Sequence, residues 1–155
     1  MSIKSFGILL ALAASAFAQT TVTRTTDYTF PVVGLGSTET IGVNLINLAA
    51  NSSTGTVSSC TGSVTFYNAA GTAIGSASNF SLAANAAASV NLPFSSSGIG
   101  GSRGLIRTVV ASTTTSNIPC SLSYSLNTFD TSSGVTHLFL IGPAAASAPV
   151  ANPGH

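Results

Sequence analysis

The sequence predicts an all-β fold, a two-sheet antiparallel β-sandwich of about eight short strands, with a closed barrel as the rival topology. Three observations carry this. The 155 residues include four Lys or Arg and three Asp or Glu, so the strong helix formers Glu, Lys and Arg are nearly absent. Beyond the first 18 residues, apolar side chains recur at a period of 2 and no stretch keeps a 3.6 period. Turn residues punctuate these runs at spacings of about a dozen residues.

The elements follow in chain order. MSIKSFGILLALAASAFAQT opens with Lys4, an apolar stretch from Phe6 to Ala14 and small residues at Ala16 and Ala18. That pattern reads as a signal peptide over residues 1–18, because its apolar stretch falls short of the roughly 20 residues that cross a bilayer. Residues 19–27 are a Thr-rich arm containing TTVTRTT, free to pair with an exposed strand edge of its own or a neighbouring domain. The sandwich domain is expected over 28–142. Its first two runs are YTFPVVGL (28–35) and TIGVNLINL (40–48), and the third is headed by Cys60 and carries Val64 and Phe66 on one face. NAAG (68–71) closes that strand, with Gly71 free to take a positive φ. A fourth run reaches from Ala73 to Leu82. In the fifth, SVNLPF, Pro93 marks an edge or a strand end because it cannot donate to a ladder. RGLIRTVVAS is apolar on both faces and reads as a central strand. PCSLSYSLNTF alternates Leu122, Tyr124 and Leu126 with serines, and VTHLFLI (135–141) is the last run. Residues 143–155 are Pro/Ala-rich and uncharged, the composition of a disordered tail.

Charge excludes several functions. The single lysine lies in the leader, and Arg24, Arg103 and Arg107 balance Asp27, Glu39 and Asp130. No basic footprint exists for nucleic acid or an anionic membrane. Without a further lysine there is neither Schiff-base chemistry nor a P-loop. Three scattered acids are too few for a calcium cage, and His137 and His155 lack neighbouring acids or free thiols for a transition metal. No cofactor is expected.

Cys60 and Cys120 are the two cysteines, each at the head of an alternating strand. Cys60 shares parity with Val64 and Phe66, and Cys120 with Leu122, Tyr124 and Leu126, so both side chains point inward. If every connection reverses direction, the two strands start at the same end of the sandwich. In an exported protein, two inward thiols at one end are expected to form a disulfide rather than a nucleophile or metal ligand.

GIGGSRG (98–104) matches G-x-S-x-G around Ser102, and Asp130 and His137 follow in the order of an α/β-hydrolase. That motif requires a strand before the serine and a helix after it. Here a Gly/Ser loop precedes Ser102 and a strand follows, so a strand connection is the favoured reading. Arg103 and Arg107 share a face of their strand and are candidate contacts for a carboxylate ligand. Tyr67, with Tyr28 and Tyr124, is a candidate for stacking on a sugar.

VGLGSTETIGVNLINLA, SCTGSVTFYNAAGTAIG, SLAANAAASVNLP, RGLIRTVVAS and PCSLSYSLNTFD together resemble a family of small secreted bacterial β-sandwich proteins of unknown function. The resemblance covers about residues 30–140. It implies an Ig-like sandwich with one disulfide and carries over no catalytic residue. Antibody-type domains match less well, because no tryptophan follows Cys60. The functional expectation is a secreted, non-enzymatic module with a structural, adhesive or matrix-associated role, extracellular or periplasmic. A carbohydrate-binding module is the alternative, and a small serine hydrolase using Ser102 comes third. The expected partners are extracellular polysaccharide or further copies paired through edge strands.

Overall fold

A computed structural model describes residues 23–49, 59–115 and 120–142. The expected leader and tail lie outside the described residues. Among the described residues nine strands form two antiparallel sheets: β1 (Thr23–Thr29), β2 (Val33–Gly36), β3 (Glu39–Asn47), β4 (Ser59–Tyr67), β5 (Ser78–Ala83), β6 (Ala87–Pro93), β7 (Arg103–Thr115), β8 (Leu122–Asp130) and β9 (Thr136–Ile141). Sheet one runs β1-β7-β4-β5 with β2 also on β7; sheet two runs β6-β3-β8-β9. The expected all-β sandwich is thereby shown.

The expected first run divides in two. Its middle is Phe30-Pro31-Val32, where proline has no N–H to give to a ladder. Phe30 N–H donates to Thr108 O at 2.9 Å and its ring is buried, while β1 and β2 pair with different stretches of β7. The Thr-rich stretch supplies most of β1, which lies antiparallel to β7 of its own chain from Thr23 opposite Thr115 to Thr29 opposite Val109. The run expected from Ala73 shrinks to β5, and Ala73 keeps only an isolated bridge to Tyr67. Edge and centre fall where the residues ask. Pro93 ends edge strand β6, and β7, apolar on both faces, sits inside sheet one.

Period-2 burial builds the core. Val64 and Phe66 from β4, Leu92 from β6, and Leu122, Tyr124 and Leu126 from β8 meet Ile41, Val43 and Leu45 of β3, with Val90 packed at the margin. Tyr28 and Phe30 stack against Tyr124 of the opposite sheet, with ring centroids 5.0 and 5.9 Å from it. Each such pair adds about 1 kcal/mol beyond the area it buries. Cys60 on β4 and Cys120 just before β8 form a disulfide with Cα atoms 5.1 Å apart, joining the two sheets. Asn47, fully buried at the end of β3, also reaches across the sheets. Its Nδ2 donates to Leu82 O at 3.1 Å, and its Oδ1 accepts from Ala49 N–H at 3.0 Å. Its main chain meanwhile binds both Asn85 and Ala86 in the β5–β6 turn.

One buried polar group breaks the pattern. Thr108, fully buried on β7, has a hydroxyl with no hydrogen-bond partner among the described residues. A buried unpaired hydroxyl costs about 1–3 kcal/mol, so Thr108→Val, which keeps the shape, is expected to stabilise the protein by about 1 kcal/mol. Thermal melting should show a midpoint about 4 °C higher. An unchanged or lower midpoint would show that the hydroxyl is satisfied in solution.

Candidate functional site

The strand ends that bring β2, β3, β7 and β9 together leave an open cleft of about 570 Å³ between the sheets, lined by Ser37, Thr38, Glu39, Ser102, Arg103 and His137 among others. The β2–β3 hairpin sets its acid. Glu39 is the first residue of β3, three positions after Gly36, whose N–H donates to Oε2 at 2.6 Å. The other carboxylate oxygen, Oε1, meets Nδ1 of His137, which comes from β9 where its register with β8 shifts. Both oxygens of Glu39 are therefore engaged within the chain. The His137 side chain is 46% exposed and turns Nε2 away from the carboxylate. Arg103 begins β7, and its guanidinium occupies the space that a Cβ at Gly34 would need.

This arrangement holds the Glu39 carboxyl below its ordinary value of 4.5, chiefly through the His137 hydrogen bond and then the Gly36 N–H, with the charges of His137 and Arg103 adding to them. The Asp130 carboxyl is also held low, by Ser132 and Ser133. Both hydroxyls and both N–H groups donate to its Oδ1, at 2.7 to 3.1 Å, closing the β8–β9 turn. A carboxyl depressed in the folded state stabilises the fold above its unfolded value, and that contribution fades as pH falls through the folded value. Stability is thus expected to drop as pH falls below about 4.5, with Glu39→Gln and Asp130→Asn each flattening the decline. Urea midpoints between pH 6 and pH 2 check this. Parallel declines in all three proteins would remove both carboxyls from the account.

The hydrolase order in the sequence pairs the wrong acid with the histidine. Glu39 binds His137, whereas Asp130 is spent on its own turn. Ser102 does line the cleft with His137, and its carbonyl accepts from Ser37 N–H at 2.8 Å. Among the described residues, however, no hydrogen bond joins its hydroxyl to His137. Arg107 and Tyr67 stand opposite each other on β7 and β4, with the guanidinium 4.6 Å from the ring centre. Arg103 is four residues away along β7, about 13 Å, so the three candidate contacts do not converge on one ligand.

A second, shallower depression lies on sheet one, lined by Thr25, Thr61, Ser63, Asn79 and Thr113 around Ala111. Its walls are hydroxyls, an amide, methyl groups and the Phe80 ring. Among the described residues no group of three or more His, Cys, Asp or Glu side chains can hold a metal ion, and no helix is long and apolar enough to cross a membrane. Comparisons of the chain with protein-family models, curated proteins and solved structures find no match.

Proposed function

We propose that the protein is an exported, non-enzymatic β-sandwich module that acts by surface contact, in a structural, adhesive or matrix-associated role. The observation that carries this is the chemistry of the outer sheet faces. Along β4 and β5 the outward positions include Thr61, Asn79 and Ser81, which are exposed, and Ser63 and Thr65, which are half-buried; along β6 and β8 they include the exposed Ser89 and Asn91 and the half-buried Ser123, Ser125 and Asn127. Such faces offer many neutral hydrogen-bonding groups on a rigid plane. The cleft, by contrast, spends its one carboxylate on internal partners. The disulfide and the signal-like leader support export and a durable fold outside the cell. An Ig-like arrangement and kinship with small secreted bacterial sandwiches belong to the same proposal.

Electron microscopy and fractionation of the native material test it. Filaments, matrix or cell-bound protein are expected. A freely diffusing monomer that turns over an ester or peptide substrate, and loses that activity with Ser102→Ala, would overturn the reading in favour of a hydrolase.

A further inference from the structure

We infer that the outer face of sheet two binds a neutral polysaccharide, which gives the adhesive reading above a ligand and a site. The face is built on one cross-strand row. Phe139 of β9 lies opposite Asn127 of β8, Asn127 opposite Gly42 of β3, and Gly42 opposite Asn91 of β6. With strands about 4.8 Å apart, this row spans about 14 Å, room for more than one pyranose ring.

Its centre is flat because residue 42 is glycine. A Cβ there would lie 2.8 Å from Asn91 Oδ1 and 2.9 Å from Asn127 Oδ1, so the two amides close over the backbone, with the edge of Phe129 beside them. The Asn127 amide is held from the next row. Asn44 Nδ2 donates to Asn127 Oδ1 at 3.2 Å, and Ser89 Oγ donates to Asn44 Oδ1 at 2.7 Å. This chain leaves Asn127 Nδ2 and the whole Asn91 amide uncommitted among the described residues. A donor on the held Asn127 amide, and a donor and an acceptor on the exposed Asn91 amide, thus remain for a ligand.

At one end of the row Phe139 is 58% exposed. An exposed ring in line with amide groups that have bonding capacity to spare matches a sugar, whose C–H face covers the ring while its hydroxyls, each donor and acceptor, meet the amides. Charge decides against other partners. No charged side chain projects from the row or its neighbour, so a nucleic acid, an anionic lipid surface or an acidic glycan finds no counter-charge here. A ligand that is neutral, extended and rich in hydroxyls is what this face complements.

The test uses the leaderless chain, residues 19–155, with cellulose, chitin and β-1,3-glucan as insoluble neutral probes and alginate as the charged control. Saturable retention on at least one neutral polysaccharide is expected, unchanged in 0.5 M salt and absent on alginate. Phe139→Ala and Asn91→Ala should each weaken it about tenfold, with melting temperatures unchanged because both side chains stand on the surface. Ser81→Ala, on the other sheet, should bind as the parent does. Phe139→Tyr, which keeps the ring, should retain binding and serves as the check if the alanine variant fails to fold. No retention on any probe, or retention indifferent to Phe139 and Asn91, overturns the inference. Cell or matrix attachment that persists alongside that result would leave the adhesive reading standing and remove only its polysaccharide ligand.

Discussion

Replacing both Cys60 and Cys120 by alanine is expected to lower the unfolding free energy by about 4 kcal/mol and the melting temperature by about 15 °C. The first figure comes from the 60-residue separation the bridge spans, whose closure restricts the unfolded chain far more than a short loop would. The bridge also joins β4 of one sheet to the start of β8 in the other, at a point where both cysteines are buried. Its loss therefore adds two small voids to the looser unfolded chain. Urea unfolding of the parent with and without reductant, beside the double alanine variant, measures the effect. A difference below 1 kcal/mol would show that core packing alone holds the sheets together.

Asn47→Leu is expected to cost about 3 kcal/mol, more than its gain in apolar character returns. The substitution keeps volume but strands the Leu82 carbonyl and the Ala49 N–H in a region closed to water. Each orphaned group carries a penalty of about 1–3 kcal/mol. Because Asn47 also anchors the β5–β6 turn through its main chain, hydrogen exchange at the Asn85 amide and at the amide of residue 47 itself should accelerate in the variant. A stability change within 0.5 kcal/mol would show that a water replaces the amide.

Much of the fold was legible because half-buried strands write their exposure into alternate residues. Leu122, Tyr124 and Leu126 face inward as their spacing requires, and the shared parity of the cysteines placed them close enough to bond. β1 was obscure for the opposite reason. Nearly all its side chains are exposed on both faces, so no alternation marks it, and its place is set by main-chain pairing to β7. Asn47 sits at a core position of β3 where the pattern calls for an apolar residue, and its bond to the distant Leu82 carbonyl is not encoded in local spacing. The candidate site was the least legible part. Glu39 and His137 are 98 positions apart and meet because β8 lies between their strands, a neighbourhood that no local spacing encodes. Arg103 and Arg107, by contrast, share a parity that suggested one site, but Tyr67 draws one guanidinium and the cleft takes the other.

The pairing of β1 with β7 has a consequence for how the chain comes to be folded at all. Thr29 cannot meet Val109 until the 80 positions between them have been made. At about 5–20 residues per second, that is a wait of roughly 4–16 s, far longer than a hairpin needs to close. Contacts of such sequence separation also slow the final search, which places sandwiches among the slower small folds. Throughout that interval the threonine-rich segment lacks the main-chain partner it has in the finished fold. The crowding of unfinished chains, and not the stability of the finished sandwich, then sets how often it pairs with the wrong molecule.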